Sequence, residues 1–246
     1  MKDENKTKAR LIEELQAMRK QLDTLQRVDA GMPRRLEQVI TKFSTRLISL
    51  ETGQIDDAIW ETLGEIGSLE RVDRCYVFQL SQDGLWMVNT HEWCARGIEP
   101  QIHKLQALPV QDFTWLLTPL RRFEDVHIPR VADLPIGETA LREHLSAQGI
   151  QSLVVVPLVE GRALMGFAGF DSVRSERRWL EDEVQLLRVT ADIIMNALVR
   201  KRDEDARRES EERYSSLFAR ILAGIYSSTH DGRFINVNPA MVKMFG

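Results

Sequence analysis

SLVVVPLVEGRALMGFAGFDS, residues 152–172, is the stretch on which the fold turns. Two runs rich in Val, Leu, Ala and Phe flank VEGR, 159–162, whose glycine suits a tight connection. The pair reads as a β-hairpin. Neither run alternates apolar with polar residues, so both strands belong in the middle of a sheet covered on both faces. Gly166, Ala168 and Gly169 either let a helix pack closely on the sheet or leave space for a ligand. Just before the hairpin, residues 138–149 read as a helix ended by Gly149.

Working back, RCYVFQLS (74–81) reads as a strand, SQDG (81–84) as a turn and LWMVNTHEW (85–93) as the returning strand. Residues 94–125 are irregular, with short helices around 101–106 and 113–122. VHIPRVADLP, 126–135, holds one short strand and a turn. Working forward from Arg177, the helical period returns through Leu180, Val184, Leu187, Ala191, Ile194 and Leu198. VRKRDEDARRESEER follows at 199–213 without Gly or Pro. A helix running unbroken to Leu217 spans ~60 Å, more than one sheet domain requires.

The N-terminal section is also helical. Leu11, Leu15, Met18, Leu22 and Leu25 step by four and three, the a/d seam of a coiled coil. GMP at 31–33 interrupts it. Leu36, Ile40, Phe43, Leu47 and Leu50 then form a second stripe, and Ile55, Ile59, Leu63 and Ile66 a third. The expected dimer seam joins Leu11, Leu15, Met18, Leu22 and Leu25 with Leu187, Ala191, Ile194 and Leu198 across two parallel chains. A lone amphipathic helix folded back on the domain is the competing reading.

With 43% hydrophobic and 28% charged residues, 246 residues can bury one substantial core plus attachments. A net charge of −4 argues against nucleic-acid binding through phosphate neutralisation. No apolar run reaches the ~18–20 residues needed to cross a bilayer. The start, MKDENKTKAR, lacks a signal-type apolar segment. Only Cys75 and Cys94 occur, so no disulfide framework is expected, and a cytoplasmic location follows as the expectation.

VDRCYVF (72–78), NTHEWCARGIEPQI (89–102), LPIGE (134–138), residues 148–174 and RRWLEDEVQLLRVTADIIMNALVRKR (177–202) together resemble a GAF domain. The likeness is to the bacterial and archaeal multidomain sensor type and covers about 36–202. It implies an α+β fold: a central antiparallel sheet with helices on one face, and loops and short helices on the other that close over a small ligand. ERYSSLFARILAGIYSSTHDGRFINVNPAMVKMFG (212–246) resembles the opening of a PAS domain. There AGIY would be the first strand, DGR the turn, FINVN the second strand and PAMVKMFG a helix. A complete PAS fold needs more residues, so the chain is expected to stop inside a domain, as a fragment or a truncated product. The expected organisation is a coiled-coil helix at 1–32, a GAF-like sensory domain at 33–202, a charged linker at 203–211 and the incomplete PAS part at 212–246, with long coiled-coil-type helices flanking the sheet.

NTHEWC (89–94) packs His91, Glu92 and Cys94 together. In a strand, His91 and Trp93 share one face and Glu92 and Cys94 the other. His91 and Cys94 therefore do not converge, and no metal site is expected. Ala95 stands where a helical HExxH motif needs its second His. A Cys94 nucleophile would need a base from His91, His103 or His144. GAF-type methionine sulfoxide reductases, by the resemblance, rely on several cysteines, and this chain has two. Bilin-binding GAF domains attach the chromophore through Cys followed by His. Here Tyr76 follows Cys75 and Ala95 follows Cys94, which disfavours a covalent bilin. The only Asn-Lys pair is Asn5-Lys6, so a cyclic-nucleotide signature is unsupported. Haem held by His91, His127 or His144 stays open, and no cofactor is named.

What remains is a non-covalent pocket built from Trp86, His91, Trp93, Cys94, Phe113, Trp115 and His144, set against the plainer reading that these rings complete the core. Arg74, Asp133 and Asp171 suit structural ion pairing. No phosphate-cradling loop, phosphoacceptor-histidine block or cyclase block is present, so no catalytic residue is assigned; a histidine kinase or diguanylate cyclase would lie in a longer parent. The expected function is a sensory and dimerisation module that binds a small molecule and relays through paired helices. The alternatives are a ligand-free spacer and, with least weight, a thiol enzyme using Cys94.

Overall fold

Six strands answer the apolar and alternating runs: β1 (Arg74–Leu80), β2 (Trp86–Cys94), β3 (Leu108–Pro109), β4 (Val126–Ile128), β5 (Ser152–Glu160) and β6 (Ala163–Ser172). They form one sheet in the order β3-β2-β1-β6-β5-β4, with every neighbouring pair antiparallel. The computed structural model describes residues 41–47 and 50–245. The expected coiled coil at 1–32, with Leu11, Leu15, Met18, Leu22 and Leu25, lies outside the described residues. Two units divide the chain at Arg46 and Leu47. In the first, residues 41–46 are helical. The second carries everything below.

The β5–β6 hairpin lies in the interior of the sheet, between β1 and β4, and is apolar on both sides for a structural reason. Leu153 and Val155 face one apolar layer, while Val154, Val156 and Phe170 are fully buried on the other. Gly161, at φ +62°, supplies the left-handed residue of the turn. One face of the sheet is covered by two helices, α1 (Ile55–Glu70) along β1 and β2, and the long α4 (Glu181–Arg220) along β5 and β6. The other face is covered by loops, by α2 (Thr114–Leu120) and by α3 (Thr139–Ala147). There Leu116, Leu117 and Leu120 of α2 and Leu141 and Leu145 of α3 meet Tyr76, Phe78 and Phe167 of the sheet. Phe78 and Phe167 stack with ring centroids 4.9 Å apart.

The helix α4 begins where Glu183 reaches back to accept the Leu180 amide at 2.7 Å, with Glu181 and Asp182 also at the positive end of the helix dipole. It runs 40 residues without a break, or ~60 Å. Its first half is a core helix. Leu187, Ala191 and Ile194 have no exposed surface. This corrects the assignment of these three to a dimer seam, because a stripe buried within its own chain offers nothing to a second one. Over three turns, a stripe serving a sheet and a stripe serving a partner helix have the same spacing. The second half carries ion pairs between Arg207 and both Glu204 and Glu211, the spacing that supports an exposed helix. Among the described residues, no helix is long and apolar enough to cross a membrane.

Beyond α4 lie β7 (Tyr226–Ser228), β8 (Phe234–Val237) and α5 (Pro239–Phe245). The first of these strands starts at Tyr226, so of AGIY only the last residue is in it. The tie is Asn238, which is fully buried. Its Oδ1 accepts the amides of Ile225 and Met241 at 2.9 Å each. Its Nδ2 donates to the Ile221 carbonyl at 3.2 Å and the Ala223 carbonyl at 2.8 Å. One side chain thus caps α5 and fastens it to the end of α4. Asn238→Ala is expected to remove about 2–3 kcal/mol of local stability by leaving two amides and two carbonyls without it. Amide exchange should accelerate across 221–241 and stay unchanged in β5 and β6; unchanged exchange at 221–241 would refute the clamp.

Candidate functional site

The chemistry collects on the loop-covered face, and a single irregularity in β2 decides which residues take part. Val77 pairs with His91 while Phe78 pairs with Asn89, so Thr90 is an extra residue in the ladder. The Thr90 hydroxyl donates to the Val77 carbonyl at 3.3 Å. A bulge of this kind shifts the alternation by one. Met87 and Asn89 therefore face the same cavity as Glu92, while His91 and Trp93 face α1. The sharing of faces by His91 with Trp93, as read from the strand period, holds; Asn89 changes sides.

Arg74 is the centre of the site. It stands beside Asp171 in the β1–β6 ladder and beside Cys94 in the β1–β2 ladder. Its Nη1 donates to Asp171 Oδ2 at 3.2 Å and to Gln148 Oε1 at 3.3 Å, and its Nη2 donates to the Glu99 carbonyl at 3.2 Å. Its Nε lies 3.4 Å from Glu92 Oε1, close enough for charge attraction but without hydrogen-bond alignment. Glu92 Oε2 accepts the amides of Gln101 and Ile102 at 2.8 and 3.0 Å. The Tyr76 hydroxyl donates to Asp171 Oδ1 at 2.9 Å. Gly169 leaves the space for that ring, since a Cβ there would sit 2.5 Å from the Tyr76 oxygen.

These groups are out of water: the side chains of Arg74 and Asp171 are 2% and 1% exposed. Burial pushes the Asp171 carboxyl up to about 7, against the pull of Arg74 and Tyr76. Burial works against the Arg74 charge, yet Asp171 and Glu92 raise its pKa above the ordinary value. The cluster borders a cavity of about 40 Å³, whose apolar walls include Met87, Leu105, Phe113 and Leu141.

Of the seven residues expected to form a pocket, two line this cavity, Phe113 and His144, their rings edge to face at 4.9 Å. The other five lie elsewhere. Trp86, the first residue of β2, is 45% exposed. Trp115 packs against the outside of the apolar layer. Trp93 lies under α1, its ring over Gly64 and Gly67. His91 sits on the helix face, with Nε2 3.3 Å from Asp56 Oδ1 and Nδ1 2.9 Å from the Thr90 hydroxyl. Asp56 also pairs with Lys201 of α4. Cys94 is half-buried beside Arg74, and burial, then Glu92, pushes its thiol up to about 11. A thiol held protonated is a poor nucleophile.

Of the haem candidates, His127 is exposed on β4. Among the described residues, no three His, Cys, Asp or Glu are placed to hold a metal ion. Of the residues suited to ion pairing, Arg74 and Asp171 pair with each other, and Asp133 lies 3.9 Å from Arg130 on the surface. Sequence reasoning missed Asn89, Tyr76 and Gln148 as cavity residues. The one available signal was a polar Asn in a run otherwise fit for a core.

The family model described as the GAF domain matches residues 54–198. The methanogenesis regulatory histidine kinase FilI of Methanothrix harundinacea (strain 6Ac) is 32% identical over 190 residues, covering 73% of this chain and 21% of that protein. This chain thus spans about a fifth of the length of that relative. The phycocyanobilin-bound GAF domain from a cyanobacterial phytochrome aligns with a TM-score of 0.58 at 23% identity, over 69% of this chain and 96% of its own. The chromophore-binding domain of an unusual bacteriophytochrome from R. palustris aligns with a TM-score of 0.58 at 14% identity, over 72% of this chain and 64% of its own. At these identities the solved structures share the fold.

Proposed function

This chain belongs to the GAF domain family, and on that premise we propose that it is a cytoplasmic sensory module of a signal-transduction protein, binding a small molecule in the cavity beside Arg74. The observation that carries the reading is the placing of a buried, charged cluster against a cavity on one face of a sheet whose other face holds the 40-residue helix α4. The histidine kinase that is 32% identical supports an output of the same kind in a longer protein.

The packing supports a relay. β1, β2 and β6 carry cavity residues on one side and seat the two helices on the other. Asp56 of α1, His91 of β2 and Lys201 of α4 meet where α4 leaves the sheet. A ligand that prefers one arrangement of these strands shifts α4 by its difference in affinity for the two arrangements and by no more. Pairing of two chains is assigned to the N-terminal seam and to the far end of α4. There Tyr214 and Leu217 are exposed, and Tyr214 stacks on Phe218 at 6.0 Å. The hairpin and α5 beyond it are read as the start of a PAS domain.

The rival reading, a spacer with a filled core, is favoured by the small size of the cavity beside Arg74. The cavity of about 40 Å³ is far below the ~300–1,000 Å³ of pockets for drug-sized ligands. A ligand of bilin size would require α2 and α3 to move aside. Purifying the whole chain and identifying bound small molecules by native mass spectrometry separates the two. The sensory reading expects either a retained molecule or a saturable rise in unfolding temperature with a metabolite set. A chain that carries nothing and responds to nothing in that set is a spacer.

A further inference from the structure

The Asn89 side chain has no use within its own chain. The residue is 1% exposed, faces the cavity, and neither Oδ1 nor Nδ2 has a hydrogen-bond partner. As placed, the carbonyl oxygen and both N–H groups of the amide are unanswered. Nearly all buried polar side chains in folded proteins are paired, so an orphan of this kind points to a missing partner. Its backbone is occupied: its amide donates to the Leu105 carbonyl at 2.8 Å, and its carbonyl accepts from Gln106 at 3.0 Å. The position itself is one for an apolar residue, cross-strand from Phe78 and two residues from Met87.

We propose that the cavity recognises a small neutral molecule with a carboxamide or lactam edge, read by Asn89 through a paired donor and acceptor. The inference rests on the sensory reading of the site and names the ligand class that reading leaves open. An amide edge offers one N–H and one C=O side by side, the complement of the asparagine amide. The charges argue for neutrality. An anion entering the cavity meets Glu92 and Asp171, and a cation meets the Arg74 guanidinium, itself already engaged by both carboxylates. Size agrees as well. A water needs ~10–15 Å³ on this measure, so about 40 Å³ takes a molecule of a few heavy atoms without moving α3. The apolar body of such a molecule would lie against Met87, Leu105 and Phe113.

The test uses the whole chain and four probes followed by saturation-transfer NMR and thermal unfolding. Acetamide represents a free amide and 2-pyrrolidone a lactam ring. Acetate and ethylamine are charged molecules of similar size. Acetamide or 2-pyrrolidone should bind saturably, with acetate and ethylamine at least ten-fold weaker. Which of the two binds better separates a free amide from a ring edge. Asn89→Ala, which keeps the cavity open, should weaken the amide at least ten-fold while leaving the protein folded. Where that variant does not fold, the discrimination among probes by the unaltered chain decides. Equal binding of acetate, or no saturable binding of either amide, overturns the proposal and assigns the space to ordered water. A co-purified ligand held equally well by N89A overturns it too, while leaving the sensory reading standing.

Discussion

Arg74→Met destabilises the folded chain by about 3–5 kcal/mol, the cost of removing one partner from a buried ion cluster. The expectation follows from burial and partners together. Arg74 is 2% exposed, and it answers Asp171 and Gln148 while drawing Glu92 by charge. Methionine fills comparable space but leaves two carboxylates without their cation. The loss also has a pH signature. Burial already lifts Asp171 to about 7 with Arg74 in place, and without that positive neighbour its pKa rises further. A folded-state carboxyl pKa above the unfolded value means the folded chain holds the proton longer. Its stability is fullest at low pH and falls as pH rises through the folded pKa. The deficit of R74M against the unaltered chain should therefore be smaller at about pH 5 and grow as pH rises above about 7, where the unaltered chain releases the Asp171 proton and the variant still holds it. Urea unfolding at several pH values measures both parts. A deficit below about 1 kcal/mol would put the cluster in the class of exposed pairs, and a deficit independent of pH would remove Asp171 from the account. Arg74→Met with Asp171→Asn should recover part of the loss, because a neutral pair replaces an orphaned charge.

Gly67→Leu is the second large effect. A Cβ at Gly67 would sit 2.3 and 2.5 Å from two ring carbons of Trp93 and 2.8 Å from Cys75 Sγ. The half-buried Trp93 ring lies between α1 and β2, so it must shift to admit the added atoms. Overpacking of this kind costs about 1–3 kcal/mol for a small increment and more for a large one. Helix propensity works the other way, since Gly→Ala in a helix interior gains roughly 1 kcal/mol. Alanine at 67 tests which effect wins, and the contact distances favour a net loss. Gly53→Ala is the control, because nothing lies within 4 Å of a Cβ there. Thermal unfolding should place G67L well below G67A, with G53A at or above the unaltered chain. Trp93→Leu combined with Gly67→Ala should restore stability relative to G67A alone. A G67A that melts higher than the unaltered chain would show that the ring moves aside freely.

The same bulge that seats Trp93 under α1 explains which residues of the site were legible in advance. Alternation, a property of any strand, puts His91 and Trp93 on one face, as the structure has them. Asn89 could not be placed with Glu92, because the extra residue Thr90 is visible only once β1 is laid beside β2. Size and polarity alone make the tryptophans candidates for pocket walls. Those properties do not say which face a ring takes, and Trp86, Trp93 and Trp115 all lie outside the cavity. Charge and context suit Arg74, Asp133 and Asp171 to ion pairing but do not name their partners; that Arg74 meets Asp171 on the cavity wall depends on ladder partners 97 residues apart.

By itself the sequence determined the elements. Apolar runs on either side of Gly161 made a central hairpin, the four-and-three steps after Arg177 made a helix, and the uninterrupted charged run let it continue through Arg220. These are local matters of period, turn chemistry and propensity, all written in neighbouring residues. The tertiary structure alone decided what each face meets. Leu187, Ala191 and Ile194 spend their apolar surface on the chain's own sheet, and Asn89 turns into a cavity where nothing answers it. Both outcomes depend on register between strands and on the match of distant surfaces, which adjacent residues do not encode.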